Sequence, residues 1–454
     1  MKWLKRALAA LAALLAIAAV LPFFISLDDY IPRIEKEASA RLGEPVSIKR
    51  IRFSALPLPH VTVDGITVGT TGDFGIGKVV VVPDLFSLLQ STKVIRRIEI
   101  DALALTRKAI QKIPPWTGPD AANSPQTAAQ VRVESIRLKN ALVNFGKAGF
   151  GPFDARISLG SDGAAQEASI TTADGNFKAL IKPDLSNHSK YLLDVSAKSW
   201  TLPAGPALVF DELTIKGVAT QADIKLGGIS AKLYGGTASG NATLNWRKGL
   251  QLAGKLDIRH MEMKRVATLL SPDTHVSGKL DAQPAFSASA KSAAQLLHAL
   301  RLATRFEVKN GTLHGVDIEK AATRLFKQET SGGETRFEEL SGHLLLERGD
   351  YRFTQLKIAS GALAADGHVD ISAKKELSGR INAEVKAVGT STGVPLNVAG
   401  TLDAPLLYPT GGTMAGAAAG TAIMGPGIGT TVGAKVGGWV EGLFDKKDPA
   451  KPAK

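Results

Sequence analysis

The run "ELTIKGVATQADIKLGG" at residues 212–228 decides how this chain is read. Leu213 and Ile215 alternate with polar residues, an interval containing Gly217 and Asp223 follows, and Ile224 and Leu226 resume the alternation. Apolar side chains at every second position describe a strand with one oily face and one wet face, and the interval between them describes an antiparallel return. The pattern spreads in both directions. Upstream, "RIEIDALAL" carries Ile98 and Ile100, then Leu103 and Leu105 in a shifted phase. Downstream, "LAGKLDIRH" supplies Leu256 and Ile258, "GDYRFTQLKIASG" supplies Leu356 and Ile358, and "GHVDISAKK" and "VPLNVAGTLDAP" repeat the rhythm. Helical periodicity is confined to short stretches at residues 30–42, 83–90, 261–270, 292–303 and 318–326. So few helices cannot cover the oily side of a long sheet. The expected fold is mainly β: an elongated, curled antiparallel sheet forming a groove, with Ile98, Ile100, Leu213, Ile215, Ile224, Leu226, Leu256, Ile258, Leu356 and Ile358 as its lining.

Composition agrees with a packed but simple body. The 454 residues include no cysteine, 44% apolar residues, 6% aromatic residues and 46 glycines. These values exclude a disulfide-stapled domain, a thiol enzyme and a disordered chain. The formal charge is +13, but basic residues such as Lys49, Arg50 and Arg52, or Arg96 and Arg97, alternate with apolar ones as the wet sides of strands do. Without interleaved aromatics they offer no stacking platform, so nucleic acid is not expected as a partner; solvent or anionic lipid headgroups suit them better.

The two ends read differently from the body. Residues 7–27 carry no charge, running from Ala7 through Leu14, Leu15, Ile17, Phe23 and Phe24 to Leu27, with Lys2, Lys5 and Arg6 before them and Asp28 and Asp29 after. A helix of this length measures about 31 Å, enough to span a bilayer. The flanking cations place the N-terminus in the cytoplasm and the body outside it. A retained anchor is favoured over a cleaved leader, because apolar residues continue past the small-residue stretch. Near the other end, Gly412, Gly416 and Gly420, then Gly425, Gly429, Gly433 and Gly437, recur every four residues on either side of Pro426. That spacing gives a helical hairpin with a small-residue face for close packing and self-association, lying on or re-entering the membrane. A flexible Gly/Ala tail is the competing reading.

Catalytic chemistry is hard to find. "GDFGIGKV" at residues 72–79 nearly matches a P-loop, but Val79 replaces the magnesium-binding hydroxyl and "VVVVP" continues as a strand, so a glycine-rich hairpin turn is expected there. The eight histidines are isolated, there is no nucleophile elbow, and Asp28-Asp29 and Glu338-Glu339 sit in a membrane flank and an expected polar turn. No enzyme, cofactor or metal is implied.

The Pro-rich stretch 111–130 reads as a linker, and a second boundary falls within 271–290. The expected divisions are an anchor at 1–27, β regions at 28–110, 131–290 and 291–410, and a membrane-associated tail at 411–454. Residues 28–69, "DDYIPRIEKEASARLGEPVSIKRIRFSALPLPHVTVDGITVG", resemble the start of the AsmA family of Gram-negative envelope proteins. They supply the expected helix, strand pair and "D-G-I-x-V" element at residues 64–68. Residues 305–326 are similar to the family's strand, Asn-Gly turn and helix start. Residues 335–371 resemble its closing meander, with Phe337, Leu340, Gly342, Gly361 and Gly367 in rhythm. The resemblance implies an inner-membrane protein with a periplasmic body, acting in outer-membrane or envelope biogenesis, related to bridge-like lipid-transfer proteins that hold phospholipid along an apolar β-groove. The tail after residue 411 departs from that pattern. The other reading is a non-enzymatic assembly factor with a closed β core that contacts envelope proteins during outer-membrane insertion. A third makes the glycine hairpin a membrane assembly and the β-body its regulator.

Overall fold

The computed structural model describes residues 27–56, 58–70, 74–106, 109, 131–144, 149–203, 207–267, 276–291, 293–296, 298–323, 332–387 and 390–411. The anchor at 7–26, the linker at 111–130 and the glycine-spaced segment 412–437 lie outside them. No helix of the described residues is long and apolar enough to cross a membrane. Among the described residues twenty-three strands dominate, and the chain divides into two compact units: Met1–Ala207 with Thr214–Gln221, and Leu208–Leu213 with Ala222–Lys454. The fold is mainly β, as the alternation predicts.

The first unit opens with α1 (Ile31–Leu42), which has Pro32 in its first turn and ends at Gly43, whose φ of +66° suits a left-handed cap. Its strands are β1 (Val46–Ser54), β2 (His60–Val68), β3 (Phe74–Pro83), β4 (Lys93–Thr106), β5 (Val131–Val133), β6 (Ser135–Asn144), β7 (Gly149–Leu159), β8 (Ala165–Thr172), β9 (Phe177–Asp184) and β10 (Asn187–Thr201). β1 to β4 pair antiparallel in sequence order. β5 and β6 then lie parallel to β4. β6 to β10 continue antiparallel.

The shifted phase in "RIEIDALAL" has a structural cause that runs across several strands. One apolar row joins Ile51, Val63, Val79, Ile100 and Leu138, and a second joins Ile48, Ile66, Ile76 and Leu103. On each of β1 to β4 the two rows are three residues apart, so two consecutive residues are spent on the other face. One of the two forms a charge ladder of alternating sign, Arg50, Asp64, Lys78, Asp101 and Lys139. The other falls on Gly65, Ala102 and Asn140, all at positive φ, and on Gly77, where an added Cβ would lie 3.0 Å from that of Ala102. Small or positive-φ residues suit these positions, because side chains crowd when consecutive residues share a face.

β11 (Val209–Ala219) falls in both spans. The second unit continues with β12 (Asp223–Leu233), β13 (Gly236–Asn245), β14 (Leu250–Glu262), α2 (Met263–Ala267), β15 (Val276–Ala282), β16 (Ala285–Ala290), α3 (Ala293–Leu296), β17 (Arg301–His314) and α4 (Ile318–Thr323). β18 (Glu334–Glu347), β19 (Asp350–Ala359), β20 (Leu363–Ile371), β21 (Leu377–Ala387), β22 (Thr390–Thr401) and β23 (Ala404–Pro409) complete it. From β12 to β23 neighbours pair antiparallel, with β15 and β16 placed end to end in one lane between β14 and β17.

Four local expectations are corrected. The helix expected to reach residue 303 stops at Leu296, and Arg301 opens β17, because pairing with β16 and β18 outweighs the helix propensity of the Ala/Leu-rich run. The helix expected at 83–90 is only the 3-10 turn Phe86–Leu89. Glu338 and Glu339 lie within β18, not in a turn, and Gly75 and Gly77 lie within β3, so the hairpin turn precedes them.

Candidate functional site

In the second unit the strand registers gather apolar residues into uninterrupted rows. One runs Leu226, Ala242, Gly254, Phe286, Leu302, Leu346, Tyr351, Ile371, Leu377 across nine strands. A second joins Ile224, Leu244, Leu252 and Ala288. A third runs Met261, Leu280, Val308, Leu340, Ile358, Ala365, Ala383, Val394. None of these positions carries a charge. The adjacent row on the other face is polar at most positions: Lys225, Thr243, Ala253, Ser287, Arg301, Glu347 and Asp350.

Coverage of the apolar face is uneven. At its β20 to β23 side α4 packs down, and Ile318, Ala321, Leu363, Ala383, Leu396 and Leu407 form a buried cluster there. In the long row the leucines, Ile371, Phe286 and Tyr351 are only half-buried. The buried clusters are drawn from adjoining strands and short helices: one from β17 and β18, another from β4, β6 and β7. Two packed sheets would instead join residues of distant strands. A depression of about 560 Å³ lies on the polar side, among Arg305, His343, Arg352 and Thr354, and so does not coincide with the apolar rows. No group of ligating side chains able to hold a metal occurs among the described residues.

The residues singled out from the sequence fall as follows. Ile98 and Ile100 lie in β4, Leu213 and Ile215 in β11, Ile224 and Leu226 in β12, Leu256 and Ile258 in β14, Leu356 and Ile358 in β19. Register unites Leu256 and Ile258 with the second unit's apolar face, through Gly240 and Ala238 on β13. Leu356 keeps that face because Gln355, at φ +51°, absorbs a bulge between Phe353 and Leu356. Of the anchor positions only Leu27 is described.

Other residues matter that alternation does not reveal. The outer edge of β1 is covered by α1: the N–H groups of Val46, Ile48 and Ile51 donate to Ser39 Oγ, Glu35 Oε1 and Asp28 Oδ1 at 2.9, 2.7 and 2.9 Å. An edge strand is thereby shielded from pairing with another chain. The spacings of seven and four between Asp28, Glu35 and Ser39 place them on one helical face, which is the signal the sequence did hold.

Asp84 organises the turn after β3. Its Oδ1 accepts from the Phe86 N–H at 2.9 Å, and its Oδ2 accepts from Arg96 Nε and a terminal guanidinium nitrogen at 3.0 and 2.8 Å. Hydrogen bonding from Arg96, with help from the Ser87 and Phe86 amides, holds its carboxyl below the usual carboxylate range. A depressed carboxyl stabilises the fold above its ordinary titration range and loses that contribution as pH falls through the folded value. Asp84→Asn should therefore speed amide hydrogen exchange at residues 85–89 at neutral pH. Acidification of the wild type should do the same only below the ordinary aspartate range, once intrinsic exchange rates are corrected for pH.

The family comparison fits this architecture. A family model, "AsmA family", matches residues 85–356, more than half of the chain. This chain belongs to the AsmA family. The match takes in residues 305–326 and most of the meander at 335–371; the opening resemblance at 28–69 lies before it. No curated protein and no solved structure matches the AsmA-family chain.

Proposed function

We propose that this AsmA-family chain is a non-enzymatic, lipid-handling protein of the cell envelope, tethered to the inner membrane by residues 7–27 with its body in the periplasm. Family membership and a predominantly β body fit envelope biogenesis. The observation that carries the lipid reading is the half-buried row from Leu226 to Leu377, charge-free across nine strands and outside the cluster that α4 closes. Sheltering acyl chains against such a wall needs no cofactor. Each methylene withdrawn from water contributes about 0.8 kcal/mol, so roughly a dozen give on the order of 10 kcal/mol before ordering costs. The headgroup stays in water, which asks nothing of the wall beyond continuity. The closed-core alternative loses support because the buried clusters draw on adjoining strands.

The test is phospholipid carried through purification. The full chain should retain lipid, and Ile224→Asp and Leu346→Asp should lower it several-fold while leaving the circular dichroism spectrum and melting transition in place. Wild-type protein free of phospholipid, or variants that lose lipid only by unfolding, would rule the proposal out.

A further inference from the structure

The first unit carries an apolar patch that its own core does not use. Seven large apolar side chains are more than half exposed among the described residues, and six of them gather at one end of the β1 to β5 strands: Tyr30, Leu56, Leu58, Phe86, Leu89 and Val131. The registers fix this placement. Ser54 pairs with His60, so Leu56 and Leu58 form the tip of the β1–β2 turn. Val61 pairs with Val81, and Val82 with Arg97, which brings the turn after β3, with Phe86 and Leu89 80% and 93% exposed, to the same end. Val131 enters this end beside Lys93. Tyr30 arrives with the start of α1, because Asp28 bonds Ile51 near the far end of β1 while Ser39 bonds Val46 at its beginning.

The patch has limits. Turns at the opposite end of these strands carry Glu44 and Thr70, and the next turn along the same end, residues 160–164, is the polar "GSDGA". Leu185, the seventh exposed residue, lies beyond that turn and stands apart. The tips are also held in place: Asp84 fastens the Phe86 turn, and the Leu58 carbonyl bonds His60 Nδ1 at 2.7 Å. Side chains this large, exposed on hydrogen-bonded turns, suit insertion into a soft apolar medium.

What lies against the patch follows from where the chain enters it. The uncharged run 7–27 ends at Leu27, one residue before Asp28, which is bound at this same end of β1. We infer that these turns form a membrane-seating surface: Leu56, Leu58, Phe86 and Leu89 dip into the lipid interface beside the anchor, holding the first unit upright on the bilayer. The inference rests on the tether at residues 7–27 but does not depend on lipid occupying the apolar rows of the second unit.

The chain has no cysteine, so single cysteines report without background. Leu58→Cys and Leu89→Cys, with Thr70→Cys at the opposite end as reference, are labelled with an environment-sensitive fluorophore in the full chain. Each is reconstituted into phosphatidylethanolamine and phosphatidylglycerol vesicles. Positions 58 and 89 should shift to the blue, brighten several-fold and be quenched by nitroxide-bearing acyl chains, while position 70 keeps its aqueous spectrum. Flotation with the vesicles combined with aqueous spectra at 58 and 89 overturns the seating surface and leaves the tether standing. Failure to float overturns both. Shielded emission that lipid nitroxides do not quench assigns the patch to a second copy or another protein and likewise overturns the inference. Lipid retained by the second unit is measured separately and bears on neither result.

Discussion

Leu396→Ala is expected to destabilise the second unit by about 3–4 kcal/mol, whereas Leu302→Ala on the same side of the sheet should cost about 1–2 kcal/mol. Leu396 is completely buried, in the cluster that α4 closes. Removing its side chain leaves a hole that the short helix can fill only partly. Leu302 is half-buried between Phe286 and Leu346, where solvent or a ligand already meets it. Urea melts of the two variants measure the difference directly. Equal losses near 3–4 kcal/mol would mean that the whole face is a closed core, and lipid sheltering would lose its basis.

Gly311→Ala should destabilise the second unit by about 1–3 kcal/mol. Gly311 faces Phe337 across β17 and β18, and an added Cβ would meet Phe337 Cζ at 2.5 Å and the Ser277 carbonyl oxygen closer still. Aromatic rings lie over glycines elsewhere on the sheet, as at the paired Gly254 and Phe286, and the ring restores the contact that the glycine lacks. Gly361 is the matched control, since a Cβ there meets nothing within 4 Å. Thermal melts should place Gly311→Ala several degrees below Gly361→Ala. Coincident melting temperatures would show that the ring yields without cost.

Alternation located the strands well because a half-buried sheet imposes period two on almost every residue it contains. Ile224, Leu226, Leu256 and Ile258 needed nothing more. Leu103 and Leu105 were recognisable as out of phase with Ile100, but the reason lay in partners distant in the chain, Gly77 and Asn140, which a local pattern does not expose. Arg301 escapes the local pattern for the same reason: "SAAQLLHALRLATRF" favours a helix by composition, and the ladders to β16 and β18 convert its last third to strand. The apolar wall was therefore legible as a list of residues, whereas its continuity depends on register. The seating patch was less legible still. Leu58 and Phe86 look like ordinary apolar residues until the hairpins bring their tips together.

The paired spacing shared by β1, β2, β3 and β4 governs how such a protein can change. Deleting one residue from β3 alone would invert half of that strand, sending Ile76 and Phe74 outward while Val79 and Val81 stayed in place. Neighbours enforce the count on one another, so evolution can lengthen or shorten these strands only in concert, or at their tips. That makes the loops, including those at the bilayer end, the place where related chains are free to diverge.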